Sequence, residues 1–177
     1  MHVFATPRLL LRHFTTEDAA FIYELVNTPA WKQYIGDLGI DSVDAARGYI
    51  ETTLLGLYRR HGFGFYAMER ASDGEFVGMC GLIKREALDD VDLGFALLEQ
   101  FAGQGLAHEA AAATLAYARD TLGLARVGAI THPDNARSAR LLERLGMRYE
   151  RLVQLAADAQ PLRFYAVSLT DDTTHEV

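Results

Sequence analysis

Apolar and polar positions along the chain recur with two different periods, which separate strand-like from helix-like segments. Residues 8–14 alternate with a period of two and predict a strand, whereas residues 15–26 carry apolar side chains three and four positions apart and predict a helix. Residues 27–39 have no regular period. A second helix is predicted over 41–61. It begins at Asp41-Ser42, which is a helix-start signal, and it ends before Gly62 and Gly64.

The rest of the chain continues with short segments of both kinds. Strands over 63–69 and 76–84 flank the turn sequence Ser-Asp-Gly, which is typical of a hairpin. The remaining predicted elements are, in chain order, strand 91–98, helix 105–121, strand 126–131, helix 136–145 and a closing hairpin of strands 149–155 and 162–168. The strand–helix–strand portion indicates a crossover between parallel strands. We therefore predict a mixed α/β (α+β) sheet in one domain, 1–170, with a flexible polar tail, 171–177.

Length, charge and cysteine content narrow the class of protein. The 177 residues suffice for one domain with its own core. A net charge of −7 argues against nucleic-acid binding, and no apolar run is long enough to span a bilayer. The single cysteine, Cys80, has no intrachain partner, which favours a reducing, cytoplasmic environment. The six histidines show no paired spacing, so we expect no metal site.

One glycine pair stands where a strand pattern stops and an alanine-rich helix pattern begins. The spacing is Gln100-x-x-Gly103-x-Gly105-x-Ala107. Such a turn either serves compactness alone or lets main-chain N–H groups at a helix N-terminus bind phosphate. It is not a P-loop, since no Gly-Lys-Ser/Thr follows, and His108 replaces the third glycine of a dinucleotide fingerprint.

The glycine turn and three other segments together resemble the GNAT superfamily of N-acyltransferases. Three segments are similar to its ribosomal-protein-alanine (RimJ/RimL-like) branch. They are the opening TPRLLLRHFTTEDAAFIYEL, the strand segment Asp92-Leu93-Gly94-Phe95 and the helix segment NARSARLLERLGM. The resemblance implies a mostly antiparallel sheet of about seven strands, splayed between the fourth and fifth strands and flanked by four helices. It also implies acetyl-CoA as the cofactor.

The resemblance assigns cofactor contacts to residues of the fourth strand, the glycine turn and the last helix. Main-chain groups of the strand would pair with the pantetheine arm, amides of the turn would hold the diphosphate, and the helix would reach the arm. The implied residues are Phe95, Ala96 and Leu97, then Ala102, Gly103, Gln104, Gly105, Leu106 and Ala107, then Asn135 and Ser138. Asn135 is equally suited to cap its own helix.

Two residues are candidates for catalysis on the same grounds. Ser138 is implied as a hydrogen-bond donor to the departing sulfur, since the tyrosine acid of many superfamily members is replaced here by Leu142. Asp92 is the candidate base, although a solvated acidic turn explains the run Asp89-Asp90-Val91-Asp92 as well, and solvent is an alternative proton acceptor. An N–H near Ala96 or Leu97 is the expected oxyanion donor.

The acceptor side is expected between the first two helices and the 156–161 loop. There Trp31 and Tyr34 either line a pocket or only fill a groove. The implied function is transfer of an acetyl group from acetyl-CoA to a primary amine, on a protein N-terminus or a small molecule, by direct attack in a ternary complex. The alternatives are a non-catalytic acyl-CoA-binding sensor or interaction module, and a plain nucleotide binder. Either a monomer or a homodimer is compatible with the sequence.

Overall fold

The computed structural model describes residues 1–170, which form one eight-stranded sheet with helices packed on it. The strands are β1 (His2–Ala5), β2 (Leu9–Arg12), β3 (Phe65–Arg70), β4 (Phe76–Ile83), β5 (Asp92–Leu97), β6 (Arg126–Thr131), β7 (Arg148–Val153) and β8 (Leu162–Ser168). The helices are α1 (Ala19–Val26), α2 (Pro29–Tyr34), α3 (Val43–Tyr49), α4 (Leu55–His61), α5 (Leu106–Asp120) and α6 (Ala136–Arg144). The predicted tail, 171–177, lies outside the described residues. No helix within residues 1–170 is long and apolar enough to cross a membrane.

The strands follow the order β1-β2-β3-β4-β5-β6-β8-β7, and every neighbouring pair is antiparallel except β5 and β6. This confirms the predicted mixed, mostly antiparallel sheet. The count of about seven strands was one short, because residues 2–5 add an edge strand in which Phe4 pairs with Leu11 of β2. The predicted fourth and fifth strands are therefore β5 and β6.

The helices differ from the prediction at two places. Residues 27–39, expected to be irregular, contain α2, which begins at the cap Thr28: its Oγ1 accepts the Trp31 N–H at 3.3 Å, and Pro29 occupies the first helical position. The predicted second helix is present as α3 and α4, joined without a break by a π-helical turn at Ile50–Leu54. It begins at Ser42, whose Oγ accepts the Ala45 N–H, and ends at Gly62.

The two faces of the sheet are covered by different helices. On one face α5 places Tyr117 edge-on against Tyr66 of β3, and its Thr114 hydroxyl lies 3.4 Å from the Cys80 sulfur of β4. Tyr66 and Glu69 of β3 lie three positions apart and so point to opposite faces. A register shift after Met68 pairs Glu69 with Phe76, which therefore points away from α5. There it stacks on Phe21 of α1, which in turn packs on α3.

Strand β5 approaches β4 so closely at one position that only glycine fits. A Cβ on Gly78 would stand 2.1 Å from the carbonyl oxygen of Ala96 and 2.8 Å from the Cα of Leu97. Both neighbours are main-chain atoms of β5, which cannot move aside as a flexible side chain would. The position of β5 in the sheet therefore depends on the missing side chain of Gly78.

Replacing Gly78 with alanine should lower the free energy of unfolding by about 2 kcal/mol or more, because overpacking displaces β5. The matched control is Gly48→Ala in α3, where a Cβ would meet no atom within 4 Å and φ is ordinary. Removing a helix-interior glycine there should raise stability by about 0.5–1 kcal/mol. Urea unfolding of both variants measures the difference, and equal effects would contradict the close approach.

Candidate active site

The sheet opens between its two parallel strands. β5 and β6 share one paired position, Asp92 with Gly128, where the Gly128 N–H donates to the Val91 carbonyl at 2.9 Å. Beyond it no further pairing joins these two strands in the described residues. The paired position is the first residue of β5, so the carboxyl-terminal parts of the two parallel strands are unpaired and leave a cleft in the middle of the sheet. This places the expected splay between β5 and β6.

Main-chain groups of β5 line that cleft. The Leu98 N–H donates to the Val77 carbonyl of β4 at 2.9 Å. In an antiparallel ladder the main-chain groups of alternate residues face the same neighbour. Ala96 therefore directs its N–H and C=O groups toward Met79 of β4, whereas Phe95 and Leu97 direct theirs into the cleft. Of the three predicted strand residues, two present free main-chain groups to a ligand.

The predicted glycine turn stands at the carboxyl end of β5. Phe101 is 4% exposed and anchors a short 3-10 turn to the core, while Leu106 is 3% exposed and anchors the start of α5. Between them Gly103 has a φ of +78° and Gly105 a φ of +76°, values in the left-handed region that favours glycine. The chain thus turns sharply between two buried anchors, and the intervening main chain is exposed.

The same turn carries a row of unsatisfied donors. The N–H groups of residues 103–108 donate to no acceptor within residues 1–170, whereas the Ala102 N–H is bonded to the Glu99 carbonyl at 3.0 Å. The helix that follows is 15 residues long, so its dipole adds partial positive charge at this end. Unpaired N–H groups at a helix N-terminus are an anion-binding arrangement. Gly103, Gln104, Gly105 and Ala107 all contribute to it.

Helix α6 brings two predicted residues into the neighbourhood of β6. Asn135 caps the helix, with its Oδ1 accepting the Ser138 N–H at 3.2 Å. Its side-chain amide nitrogen keeps both donors, since it makes no hydrogen bond within the described residues. The Ser138 hydroxyl is half-buried and likewise has no partner in residues 1–170. The capping contact therefore uses Oδ1 and leaves the side-chain amide nitrogen of Asn135 available. Leu142, by contrast, is 1% exposed in the core.

Asp92 occupies the one position where β5 and β6 still pair. It is 1% exposed; the Nε of Arg85 lies 3.4 Å from each carboxylate oxygen, and Oδ1 has no hydrogen-bond partner. Burial raises the pKa of Asp92 to about 6, and the positive charge of Arg85 offsets part of this effect. The alternative of a solvated acidic turn does not describe Asp92, although it does describe its neighbour Asp89.

A surface groove of about 290 Å³ lies between α2 and the loop that precedes β8. Tyr34 stands at its wall, edge-on to His132 at 5.8 Å between ring centroids, with Leu155 and Gln160 opposite. Trp31 does not line this groove: it is 6% exposed in the core, and its indole N–H has no partner. The two aromatic residues singled out by sequence thus occupy different environments.

Two arginines near these groups were not singled out as site residues by the sequence. Arg8 contacts the glycine turn, and Arg85 lies beside Asp92. Arg8 stands 96 positions from Gln104, so no local spacing could have indicated that contact, whereas Arg85 precedes Asp92 by seven positions and reaches it across the connection between β4 and β5. Arg137 and Arg140, two of the three exposed arginines of α6, make no ion pair within residues 1–170. No cluster of three potential metal ligands occurs in the same part of the chain.

A mixed sheet that divides between two parallel strands, beside a glycine turn with free amides, defines the class of domain. The sequence model of the acetyltransferase (GNAT) domain matches residues 8–148. The chain belongs to this family.

Individual relatives agree with that assignment. The uncharacterized N-acetyltransferase YoaA of Bacillus subtilis is 27% identical over 153 residues, which cover 86% of each protein. An acetyltransferase from Agrobacterium tumefaciens superposes with a TM-score of 0.77 at 25% identity, covering 93% of this chain and 92% of that one. RimL, a ribosomal alpha-N-protein acetyltransferase solved in complex with coenzyme A, has a TM-score of 0.79 at 22% identity, with coverage of 95% and 98%. The likeness to RimL concerns the fold alone.

The variant Asp92→Asn should be more stable than the wild type at neutral pH. The folded-state pKa of Asp92, about 6, lies above the ordinary value of 3.8, so its contribution to stability is full below pH 4 and is lost as the pH rises through about 6. Above pH 7 the shift corresponds to a penalty of about 3 kcal/mol, which asparagine removes. Thermal unfolding from pH 4 to 8 measures it.

The exposed Asp41 supplies the control for that series. Asp41→Asn has no burial penalty to relieve, so its stability should follow the wild type at every pH. If the stability of Asp92→Asn exceeded that of the wild type by the same amount at pH 4 and at pH 8, the raised pKa of Asp92 would be contradicted.

Proposed function

We propose that the chain is an acetyl-CoA-dependent N-acetyltransferase that moves an acetyl group to a primary amine by direct attack in a ternary complex. The observation that carries this proposal is the cleft, in which free main-chain groups of β5 adjoin a turn with unpaired N–H groups. An extended chain ending in a diphosphate satisfies both sets of groups. Membership of the GNAT family and the naming of relatives as N-acetyltransferases support it.

The residues present fit such a cofactor at each of its parts. Phe95 and Leu97 would pair through their main chains with the amide-containing arm, as an added strand does. The amides of residues 103–107 would hold the diphosphate, and this contact needs no lysine because the donors belong to the main chain. The free side-chain amide of Asn135 would donate to the arm. Ala96 would shape the cleft wall, and Ala102 would support the turn.

Acetyl-CoA supplies the acetyl group as a thioester with a good leaving group. On the protein side, the Leu97 N–H points into the cleft and is the candidate donor for polarising a carbonyl oxygen. The Ser138 hydroxyl is free to donate a hydrogen bond to sulfur, which steadies the departing thiolate without full protonation. With Leu142 in the core, the chain has no tyrosine acid at that position.

Asp92 would accept the proton of the attacking amine, directly or through one water. A primary amine resembling lysine has a pKa near 10.4 and is mostly protonated at neutral pH. A carboxylate with a pKa of about 6 is mostly ionised there and is a stronger base than an ordinary aspartate. Its free Oδ1 is the atom available for that proton.

The acceptor would enter along the groove beside Tyr34 and His132, on the side of α2 and the 156–161 loop. Trp31 would then support α2 from the core and take no part in contact with the amine. The sequence segments that resemble the RimJ/RimL-like branch support a place in it, with a protein N-terminus as one acceptor class. The solved RimL and ribosomal-protein acetyltransferases share the fold. We propose a cytoplasmic location and a monomer or homodimer.

A thiol-release assay with acetyl-CoA and a panel of amines tests the function. The panel should contain peptides with free N-termini, amino sugars, polyamines and amino acids. Release of coenzyme A that depends on one amine class, with an acetylated product seen by mass spectrometry, is the expected result. Tight binding of acetyl-CoA without release across the panel would support the sensor alternative instead. Equal stabilisation by ATP and acetyl-CoA would indicate a nucleotide binder.

Gly105→Val should weaken acetyl-CoA binding at least tenfold while the protein remains folded. A β-branched residue disfavours the φ of +76° and redirects the amides of the turn. Gly123→Val is the matched control, since Gly123 has a φ of +68° and open space around it at the other end of α5. Both variants should lose similar stability in thermal unfolding. Calorimetric titration should show a loss of acetyl-CoA affinity for Gly105→Val alone. Equal acetyl-CoA affinities of the two variants would contradict diphosphate binding by the amides of the glycine turn.

A further inference from the structure

The turn with the free amides is held from outside by an arginine that precedes β2. The Nη1 of Arg8 donates to the Gln104 carbonyl at 2.9 Å, and its Nε lies 3.2 Å from the Oε2 of Glu109. These partners stand 96 and 101 positions away in the chain. Arg8 belongs to the opening segment TPRLLLRHFTTEDAAFIYEL, which therefore makes direct contact with the glycine turn.

The base of the Arg8 side chain is rigid. The Arg8 carbonyl accepts the Ala71 N–H at 2.9 Å, at the end of β3. On its other side the Leu9 N–H donates to the Thr6 hydroxyl at 3.0 Å, and the Thr6 N–H donates to the Leu9 carbonyl. These three hydrogen bonds fix the main chain from which the Arg8 side chain extends toward the turn.

The hydrogen bond to Gln104 sets the direction of a donor. A trans peptide is planar, with its C=O and N–H groups pointing in opposite directions. When Arg8 holds the Gln104 carbonyl, the N–H of Gly105 must point away from the guanidinium. A donor at the carbonyl also polarises the peptide and strengthens its N–H as a donor.

The ion pair with Glu109 changes the charge of the site. Glu109 lies in the first turn of α5, where its carboxylate would repel a diphosphate bound to the preceding amides. Residues 99–109 contain no lysine or arginine, so the turn has no cation of its own to offset this charge. Arg8 supplies one, and its Nη2 lies 3.5 Å from the position of a Cβ on Gly105.

We propose that Arg8 is a positioning residue for the diphosphate: it orients the Gln104–Gly105 peptide and offsets the charge of Glu109. This inference rests on the proposed function and adds to it a residue outside the glycine motif. It acts through the turn, so it concerns the diphosphate end of the cofactor and leaves the thioester end unaffected.

The test compares acetyl-CoA with acetyl-pantetheine, which carries the same thioester without the diphosphate. Arg8→Ala should raise the Kd of acetyl-CoA about tenfold, as expected for loss of a charge-assisted hydrogen bond. Its kcat/KM with acetyl-pantetheine should equal that of the wild type, which a general loss of structure would not allow. Arg8→Lys should recover part of the affinity, since one ammonium can replace only one of the two contacts.

Arg151→Ala is the matched control. Arg151 is 50% exposed against 49% for Arg8, and it pairs with Glu150 at 3.4 Å on β7, at the far edge of the sheet. This variant should bind acetyl-CoA like the wild type. In the free protein the ¹⁵N shift of the Gly105 amide should move in Arg8→Ala and stay in place in Arg151→Ala.

The double variant Arg8→Ala with Glu109→Gln separates the two parts of the role. Affinity should remain reduced, because the Gln104 carbonyl is still without its donor, and full recovery would show that Arg8 only neutralises Glu109. Unchanged acetyl-CoA affinity in Arg8→Ala, or an equal loss with acetyl-pantetheine, would overturn the proposal while the proposed function stood. A wild-type chain that binds no acetyl-CoA would instead overturn the proposed function, and this inference with it.

Discussion

The single pair that joins β5 to β6 is the constraint on which the site depends. Asp92 and Gly128 keep the two halves of the sheet together, and everything beyond them on β5 is left without a partner on one side. Unpaired main-chain groups inside a sheet are costly unless a ligand or water satisfies them. The open edge of β5 therefore needs a hydrogen-bonding partner, and it leads directly to a turn with further unpaired N–H groups.

Glycine has two different tasks around this cleft. Gly78 has an ordinary φ, and its missing side chain lets β5 approach β4. A Cβ on Gly103 would meet no atom within 4 Å, and a Cβ on Gly105 would meet only the Arg8 Nη2 at 3.5 Å. These two glycines are needed for their positive φ. One task fixes where the strand lies, and the other fixes how the chain leaves it. The sequence spacing revealed the role of Gly103 and Gly105, since the boundary between a strand and a helix is visible in the sequence. The role of Gly78 depends on a contact between two strands, which the sequence does not show.

The sequence predicted most of the elements and the location of the glycine turn, because periodicity and caps are local properties. It missed β1, which is four residues long and is stabilised by pairing with β2. It also missed α2, although Thr28 followed by Pro29 is a helix-start signal. Which main-chain groups face the cleft, those of Phe95 or those of Ala96, depends on the register of β5 on β4. The contacts of Arg8 and Arg85 depend on the tertiary fold.

The burial of Asp92 links the sheet constraint to the chemistry. The pairing that closes the sheet at this position also removes water from the carboxylate, and Arg85 at 3.4 Å offsets only part of the cost. The residue at the one position where β5 and β6 pair is therefore also one whose pKa is raised by burial. If Asp92 is the base that we propose, the stability lost at that position is the physical cost of a carboxylate that is ionised at neutral pH and more basic than an ordinary aspartate.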